Sequence, residues 1–268
     1  MPLGKEKPVK DMMGRSLFLT QDPQKIISLV PSITELLYHL GLGERVVGIT
    51  KFCIHPGIWK KEKTIIGGTK TINFNAISKL EPDLIIANKE ENSEEDISKL
   101  AQNYPVWLSD ISTFDDALHA IEWIGEITQS EKQAQRINFS IHKSWSRINP
   151  FEYKKRTCLY LIWNDPIMIA GKGTYIDDIL TRINFENLAD KSRYPVVSIE
   201  NIKALDPEFL FLSSEPFPFK EQHINYFSKA LTKTKVILVD GEMFSWYGSR
   251  MSLAGDYFSK FLKEIENY

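Results

Sequence analysis

The apolar and polar positions of this chain spell out one pattern twice. Residues 77–87 read Ile-Ser-Lys-Leu-Glu-Pro-Asp-Leu-Ile-Ile-Ala, and residues 202–212 read Ile-Lys-Ala-Leu-Asp-Pro-Glu-Phe-Leu-Phe-Leu. Ile77, Leu80, Pro82 and the acid Asp83 match Ile202, Leu205, Pro207 and Glu208 position for position. In each copy, apolar residues at helical spacing run into a carboxylate, a proline follows, and a short unbroken apolar run begins. Proline stops a helix and biases the residue before it toward extended geometry, so Glu81 and Asp206 are expected to be extended. An unbroken run of about four apolar residues suits a strand covered on both faces, as in a parallel sheet. The copies lie about 125 residues apart, too far for a solenoid repeat. The pattern therefore predicts two similar α/β lobes, with a cleft between them as a favoured place for a small ligand.

The same reading places a short edge strand over residues 15–19 and strands over 25–30 and 46–49. Between these two, Pro31-Ser32-Ile33-Thr34-Glu35 predicts a helix start with Ser32 as N-cap and Glu35 completing a capping box. Leu36, Leu37 and Leu40 give that helix its apolar face, and Gly41 and Gly43 end it. A helix over 75–80 leads into a strand over 84–87, and a strand over 105–108 closes the first lobe. Two helices follow, over 114–128 and 130–148. The second carries Ala134, Ile137, Ile141, Trp145 and Ile148 as a narrow stripe. At 1.5 Å per residue it would run about 28 Å, long enough to serve both lobes as a backbone, until Asn149 and Pro150 end it. The second lobe holds strands over 157–163, 209–212 and 236–239 and helices over 174–182 and 250–266. The expected division is an N-terminal lobe over 12–112, a helical linker over 113–155 and a C-terminal lobe over 156–268.

Composition narrows the function classes. With 268 residues, 43% hydrophobic and 25% charged, the chain is that of an ordinary globular protein. Its 33 basic and 35 acidic residues leave a net charge of −2, which gives no basis for binding nucleic acid or an anionic membrane. The apolar runs are only a few residues long, too short to span a bilayer. Cys53 and Cys158, one in each expected lobe, argue against a disulfide. The opening Met-Pro-Leu-Gly-Lys-Glu-Lys-Pro-Val-Lys lacks the apolar core of a signal peptide. The location is thus open: periplasmic if an export segment was removed, cytoplasmic if Met1 is the native start. The acidic run Glu90–Asp96 reads as a solvated helix start.

No motif for a catalytic nucleophile, a phosphate-binding loop or paired metal-ligating histidines occurs. Cys53 and His55, one residue apart, are too few for a metal site, and no cofactor is expected. The aromatic residues carry more information. Phe52, Trp163, Phe217 with Phe219, and Phe244 with Trp246 and Tyr247 each follow an expected strand. Ligands of parallel α/β sheets bind beyond the carboxyl ends of the strands. Rings gathered there favour a flat apolar or conjugated ligand. Asn88, Lys89, Asn164, Asp165 and Arg250 fall on the same edge and are candidates to orient its polar groups.

The residues also resemble a known family. Ile26-Ile27-Ser28-Leu29-Val30-Pro31-Ser32-Ile33-Thr34-Glu35-Leu36-Leu37 is similar to the opening of the vitamin B12-type periplasmic binding proteins, the helical-backbone metal receptors that serve as class III solute-binding proteins of ABC transporters. The resemblance continues through Val46–Thr50, Phe52-Cys53-Ile54-His55-Pro56, Gly67-Gly68, Leu80–Ile85, Tyr194-Pro195 with Ser198 and Glu200, and Trp246 with Gly248-Ser249-Arg250. It covers nearly the whole chain from about residue 12.

This resemblance implies two α/β lobes joined by one long helix. It implies a metal chelate as ligand, a corrinoid, a tetrapyrrole or a ferric siderophore, delivered to a membrane permease. The strand-end positions and the resemblance together give Phe52, Cys53, His55, Asn88, Lys89, Trp163, Asn164, Phe217, Trp246, Tyr247 and Arg250 as ligand-binding candidates. Glu200 becomes a transporter-docking carboxylate, with Asn75 at the corresponding position of the first lobe. Cobalamin-type members have Tyr where Phe52 stands and Asp-Tyr-Pro where Ile54-His55-Pro56 stands. Some place Trp where this chain has Thr69 and Asn88. The second expectation, from a different class, is a cytoplasmic enzyme or sensor on the same fold that handles a cofactor-like small molecule.

Overall fold

A computed structural model describes residues 7–19 and 22–268. By its internal contacts the chain divides into two compact units. The first takes in the chain up to Ile111, then Asp115–Ser140 and Tyr247–Arg250; the second takes in Ser112–Phe114, Ile141–Trp246 and Met251–Tyr268.

In the first unit, β1 (Lys7–Lys10) and β2 (Ser16–Leu19) pair as an antiparallel ribbon. It is tied down by the Met12 N–H, which donates to the Leu108 carbonyl at 3.1 Å. There follow β3 (Ile26–Ser28), α1 (Pro31–His39), β4 (Val46–Ile49), α2 (Trp59–Glu62), β5 (Thr64–Ile65), α3 (Phe74–Leu80), β6 (Leu84–Asn88), α4 (Glu94–Ala101) and β7 (Val106–Ser109). The last five strands form one parallel sheet in the order β5-β4-β3-β6-β7. Every residue of β6 is buried, which is why its sequence is apolar without alternation. Ile27, Ile85 and Ala87 pack there with Ile77, Ile97 and Leu100 from the covering helices. The acidic run does start a helix: Glu94, Glu95 and Asp96 occupy the first turn of α4, where the helix dipole favours them.

Two helices, α5 (Phe114–Ile127) and α6 (Glu131–Trp145), come next. Helix α6 has 15 residues, about 22 Å at 1.5 Å per residue, and is shorter than the periodicity suggested. Its end is fixed by packing rather than by Asn149 and Pro150. The Trp145 indole N–H donates to the Met251 carbonyl at 2.8 Å, and its ring meets Phe114 and Phe258.

The second unit continues with β8 (Arg156–Asn164), β9 (Ile167–Ile169), α7 (Tyr175–Arg182), β10 (Phe185–Asn187), α8 (Ile199–Leu205), β11 (Phe209–Ser213), α9 (Glu221–Ala230), β12 (Lys235–Val239), α10 (Gly241–Ser245) and α11 (Met251–Ile265). Strands β10-β8-β11-β12 are parallel, and β9 folds back antiparallel on β8. One face of this sheet packs Leu159, Leu161, Leu210 and Leu212 against Ile202 and Phe227. The other packs rings: Phe211 meets Phe185, Phe244 and Phe261.

The two copies of the sequence pattern fold alike, down to single bonds. In α3 the Asn73 side chain caps the Ala76 N–H, and in α8 the Ser198 side chain caps the Asn201 N–H. Past the proline, Asp83 accepts the backbone N–H groups of Gln24 and Lys25 at 2.7 and 2.8 Å, at the start of β3. Glu208 accepts the Thr157 N–H at 3.0 Å, at the start of β8. Each acid thus pins the neighbouring parallel strand.

Two local expectations are corrected. Glu81 (φ 49°, ψ 60°) and Asp206 (φ 45°, ψ 54°) are left-handed, not extended. Proline disfavours the right-handed region for the residue before it, and a three-residue link from helix to strand needs a sharp reversal, which the left-handed C-cap supplies. Ser32 is not an N-cap either. Helix α1 begins two residues earlier than that, with Pro31 in its first turn and Val30 as cap, and Ser32 lies inside it. Pro31 is suited to that place because its missing N–H would have no helical partner there. Glu35 is thereby released from capping.

Candidate ligand-binding residues

Parallel topology puts the carboxyl ends of the strands on one edge of each sheet, and the residues that follow them are positioned there. In the first unit, Phe52 follows β4 and is 50% exposed. Its ring lies close over Gly68, and the Lys51 ammonium sits 5.1 Å from the ring centroid. His55 is half-buried, while Lys89 is exposed and pairs with Asp110 at 2.7 Å.

The other candidates of this unit are held in its packing. Cys53 is fully buried, with its thiol 3.0 Å from the Thr34 hydroxyl and 3.2 Å from that of Thr50. Burial pushes the thiol's pKa up, so it stays protonated. Asn88 is buried and shapes the turn after β6: its Oδ1 accepts the N–H groups of Glu90 and Glu91, and its Nδ2 donates to Ser109. Tyr247 is buried as well. Arg250 donates through Nε and Nη2 to the two carboxylate oxygens of Glu35, at 2.8 and 2.6 Å. Both members of this fork are under 10% exposed, at 8% and 7%. Arg250 is therefore the anchor of residues 247–250 on α1 rather than an open cation. Gly248 makes the approach feasible: at φ 93° it lies against Leu36, where a side chain would be strained and crowded.

In the second unit, Trp163 at the end of β8 is 39% exposed, and its indole N–H donates to the Asp165 carbonyl. Its ring meets Phe217 edge-on at 5.7 Å, and Phe217 in turn meets the buried Phe219 at 4.7 Å. Asn164 is half-buried and Asp165 exposed beside them. Phe244, expected on this edge, is instead fully buried in the aromatic core because its ring packs on Phe211, Tyr160 and Phe258. Trp246 is 6% exposed, with its indole N–H donated to Glu215 Oε1 at 2.7 Å.

The family profile described as periplasmic binding protein matches residues 26–240. The chain belongs to the periplasmic binding protein family. An uncharacterised ABC-transporter substrate-binding lipoprotein of Bacillus subtilis is 28% identical to this periplasmic binding protein over 211 residues, 75% of this chain and 67% of its own length. The vitamin B12-binding protein of Pectobacterium carotovorum is 25% identical over 239 residues, 87% of this chain and 86% of its own. Among solved structures, the periplasmic vitamin B12-binding protein BtuF of Vibrio cholerae shares the fold, with a TM-score of 0.78 at 23% identity over 92% of this chain and 99% of that one.

Membership makes this periplasmic binding protein a solute-binding protein and not an enzyme, and the expectation of a catalyst or sensor falls. Among the described residues no helix is long and apolar enough to cross a membrane.

The residue that the sequence did not bring forward is Glu215. It sits in the loop after β11 and accepts both the Trp246 indole N–H and the Ser245 hydroxyl on Oε1, each at 2.7 Å. Burial pushes its carboxyl above the usual range, and neighbouring Glu242 and Asp240 push the same way. The only sequence signal was a carboxylate with two serines, past an apolar run, before it and a proline after it. Its partners lie about thirty residues on and cannot be inferred from spacing.

Glu200 is exposed at the second position of α8. Hydrogen bonds from its own N–H and from the Ser198 hydroxyl hold its carboxyl below the usual range. Asn75, exposed at the second position of α3, is its counterpart in the repeat.

Proposed function

We propose that this solute-binding protein captures a flat metal chelate of the corrinoid or tetrapyrrole kind, with ferric siderophores as the neighbouring class, and hands it to an ABC-transporter permease outside the cytoplasm. The observation that carries this reading is that each unit leaves a large ring open to solvent at the carboxyl end of a strand: Phe52 after β4 in the first, and Trp163, backed by Phe217, at the end of β8 in the second. Exposed rings of that size have little to gain from water, whereas a conjugated macrocycle stacks well on a ring of this kind. Family membership and the vitamin B12-binding relative support the same class. His55, Lys89 and Asn164 are the proposed polar contacts.

A binding screen by quenching of tryptophan fluorescence tests the reading, with cobalamin, cobinamide, haem and ferric siderophores as probes. Saturable one-to-one binding of one macrocycle is expected. Phe52→Ala and Trp163→Ala should each weaken it by about 1–3 kcal/mol, the usual loss for an interface anchor. No saturable binding of any probe, or full affinity in both variants, would overturn it.

A further inference from the structure

Glu215 is a carboxylate without a cation. Among the described residues its hydrogen bonds come from Ser245 and Trp246, both to Oε1, and no ion pair reaches it. Its charged neighbours are Asp240 and Glu242, of its own sign. Oε2 accepts no hydrogen bond among the described residues, yet it is not one of the sealed-off polar atoms of the interior. The side chain is also fixed in place. A methyl group added at Gly241 would lie 2.6 Å from Glu215 Cγ, so the carboxylate is pressed onto the start of α10. The Gly241 N–H holds the other side of the loop through the Ser214 hydroxyl at 2.9 Å.

This fixed acceptor stands two residues from Phe217, the ring that backs Trp163, and in direct contact with the Trp246 indole. A preset negative oxygen discriminates by charge. It accepts a ligand that brings N–H donors or positive charge. It opposes one that brings its own carboxylates, because two like charges in a partly desolvated place repel and neither finds a partner. We propose that Glu215 is a specificity-determining residue, selecting macrocycles whose edge carries amide donors over those whose edge carries carboxylates. The inference rests on the reading of the chain as a chelate-binding protein, and it narrows that reading to amide-rimmed ligands.

The test compares cobinamide, rimmed by amides, with haem, which carries two propionates, on the full chain at neutral pH. Wild type should bind cobinamide more tightly than haem. Glu215→Gln keeps an oxygen for Ser245 and Trp246 while removing the charge. It should shrink the ratio of the two dissociation constants by about tenfold, the scale of one hydrogen bond to a charged group. Phe52→Ala should weaken both probes and leave the ratio unchanged. A wild type that prefers haem, or a ratio that is the same in Glu215→Gln, overturns the selection by Glu215 and leaves chelate binding standing. Failure of both probes to bind, with ferric siderophores equally inert, overturns the selection together with the reading beneath it.

Discussion

Glu215 shows what a single half-buried carboxylate does to the pH response of a fold. Burial holds its folded pKa above the ordinary 4.5, so the native chain binds that proton more tightly than the unfolded chain does. The stabilising contribution is complete below the unfolded value and is lost as pH rises through the folded one. Above that window the native state carries an ionised group it disfavours. Glu215→Gln, which keeps the Ser245 and Trp246 hydrogen bonds, should therefore melt above wild type at pH 7–8. The gap should close as pH falls toward 4.5. Melting temperatures measured across that range check it; a gap independent of pH, or a variant less stable at pH 8, would sink the assignment. Nothing in the local sequence announces this role, because the partners that define it arrive from α10. The positions of Phe52 and Trp163, by contrast, were legible: Phe52 follows β4 by three residues, Trp163 closes the apolar run of β8, and topology alone puts such residues at the sheet edge. Trp246 and Arg250 shared that signal yet are buried, because whether a terminal residue is open depends on what packs over it.

At the level of elements, the repeated helix–strand unit was the most legible part of the fold. A proline flanked by carboxylates, between a helical stripe and an apolar run, fixes helix end, strand start and sheet type together. The bond that makes each unit cohere was not legible. Asp83 and Glu208 close the unit by accepting backbone N–H groups at the start of a strand 51 to 59 residues earlier in sequence. For Glu208, burial pushes the carboxyl up, but the Thr157 N–H and Arg156 outweigh it and hold it below the usual range. Asp83→Ala and Glu208→Ala should each destabilise the chain by about 1–2 kcal/mol, the scale of losing hydrogen bonds to a charged acceptor. Chemical denaturation midpoints read this directly, and two variants indistinguishable from wild type would show that the pins are incidental. Strands β1, β9 and β10 escaped the sequence reading. Each is only three or four residues long, too short for a periodicity to develop. The length of α6 was overread for the opposite reason: Ile148 continues the apolar stripe past the point where Trp145 is fixed by Met251.

For the whole molecule the repeat carries a consequence for partnership. Asn75 and Glu200 occupy the same position in their respective units, second in the helix and exposed, and differ only in charge. On the proposed transport role, a carboxylate placed there would meet an arginine on the permease. It remains ionised at mildly acid pH because its own N–H and the Ser198 hydroxyl stabilise the charged form. It contributes little to the fold, as exposed charges do. Glu200→Gln should thus melt with wild type while its capture by the cognate permease falls, and the wild-type interaction should weaken as salt is raised, since such steering is screened. Asn75→Glu restores to the first unit the charge that the second already has, and should strengthen capture at low salt without altering ligand affinity. Pull-down with the permease in membranes, at low and high salt, measures both. Equal capture of wild type, Glu200→Gln and Asn75→Glu under all conditions would remove these helix starts from the docking surface, leaving Glu200 as a carboxylate that serves only the dipole of α8.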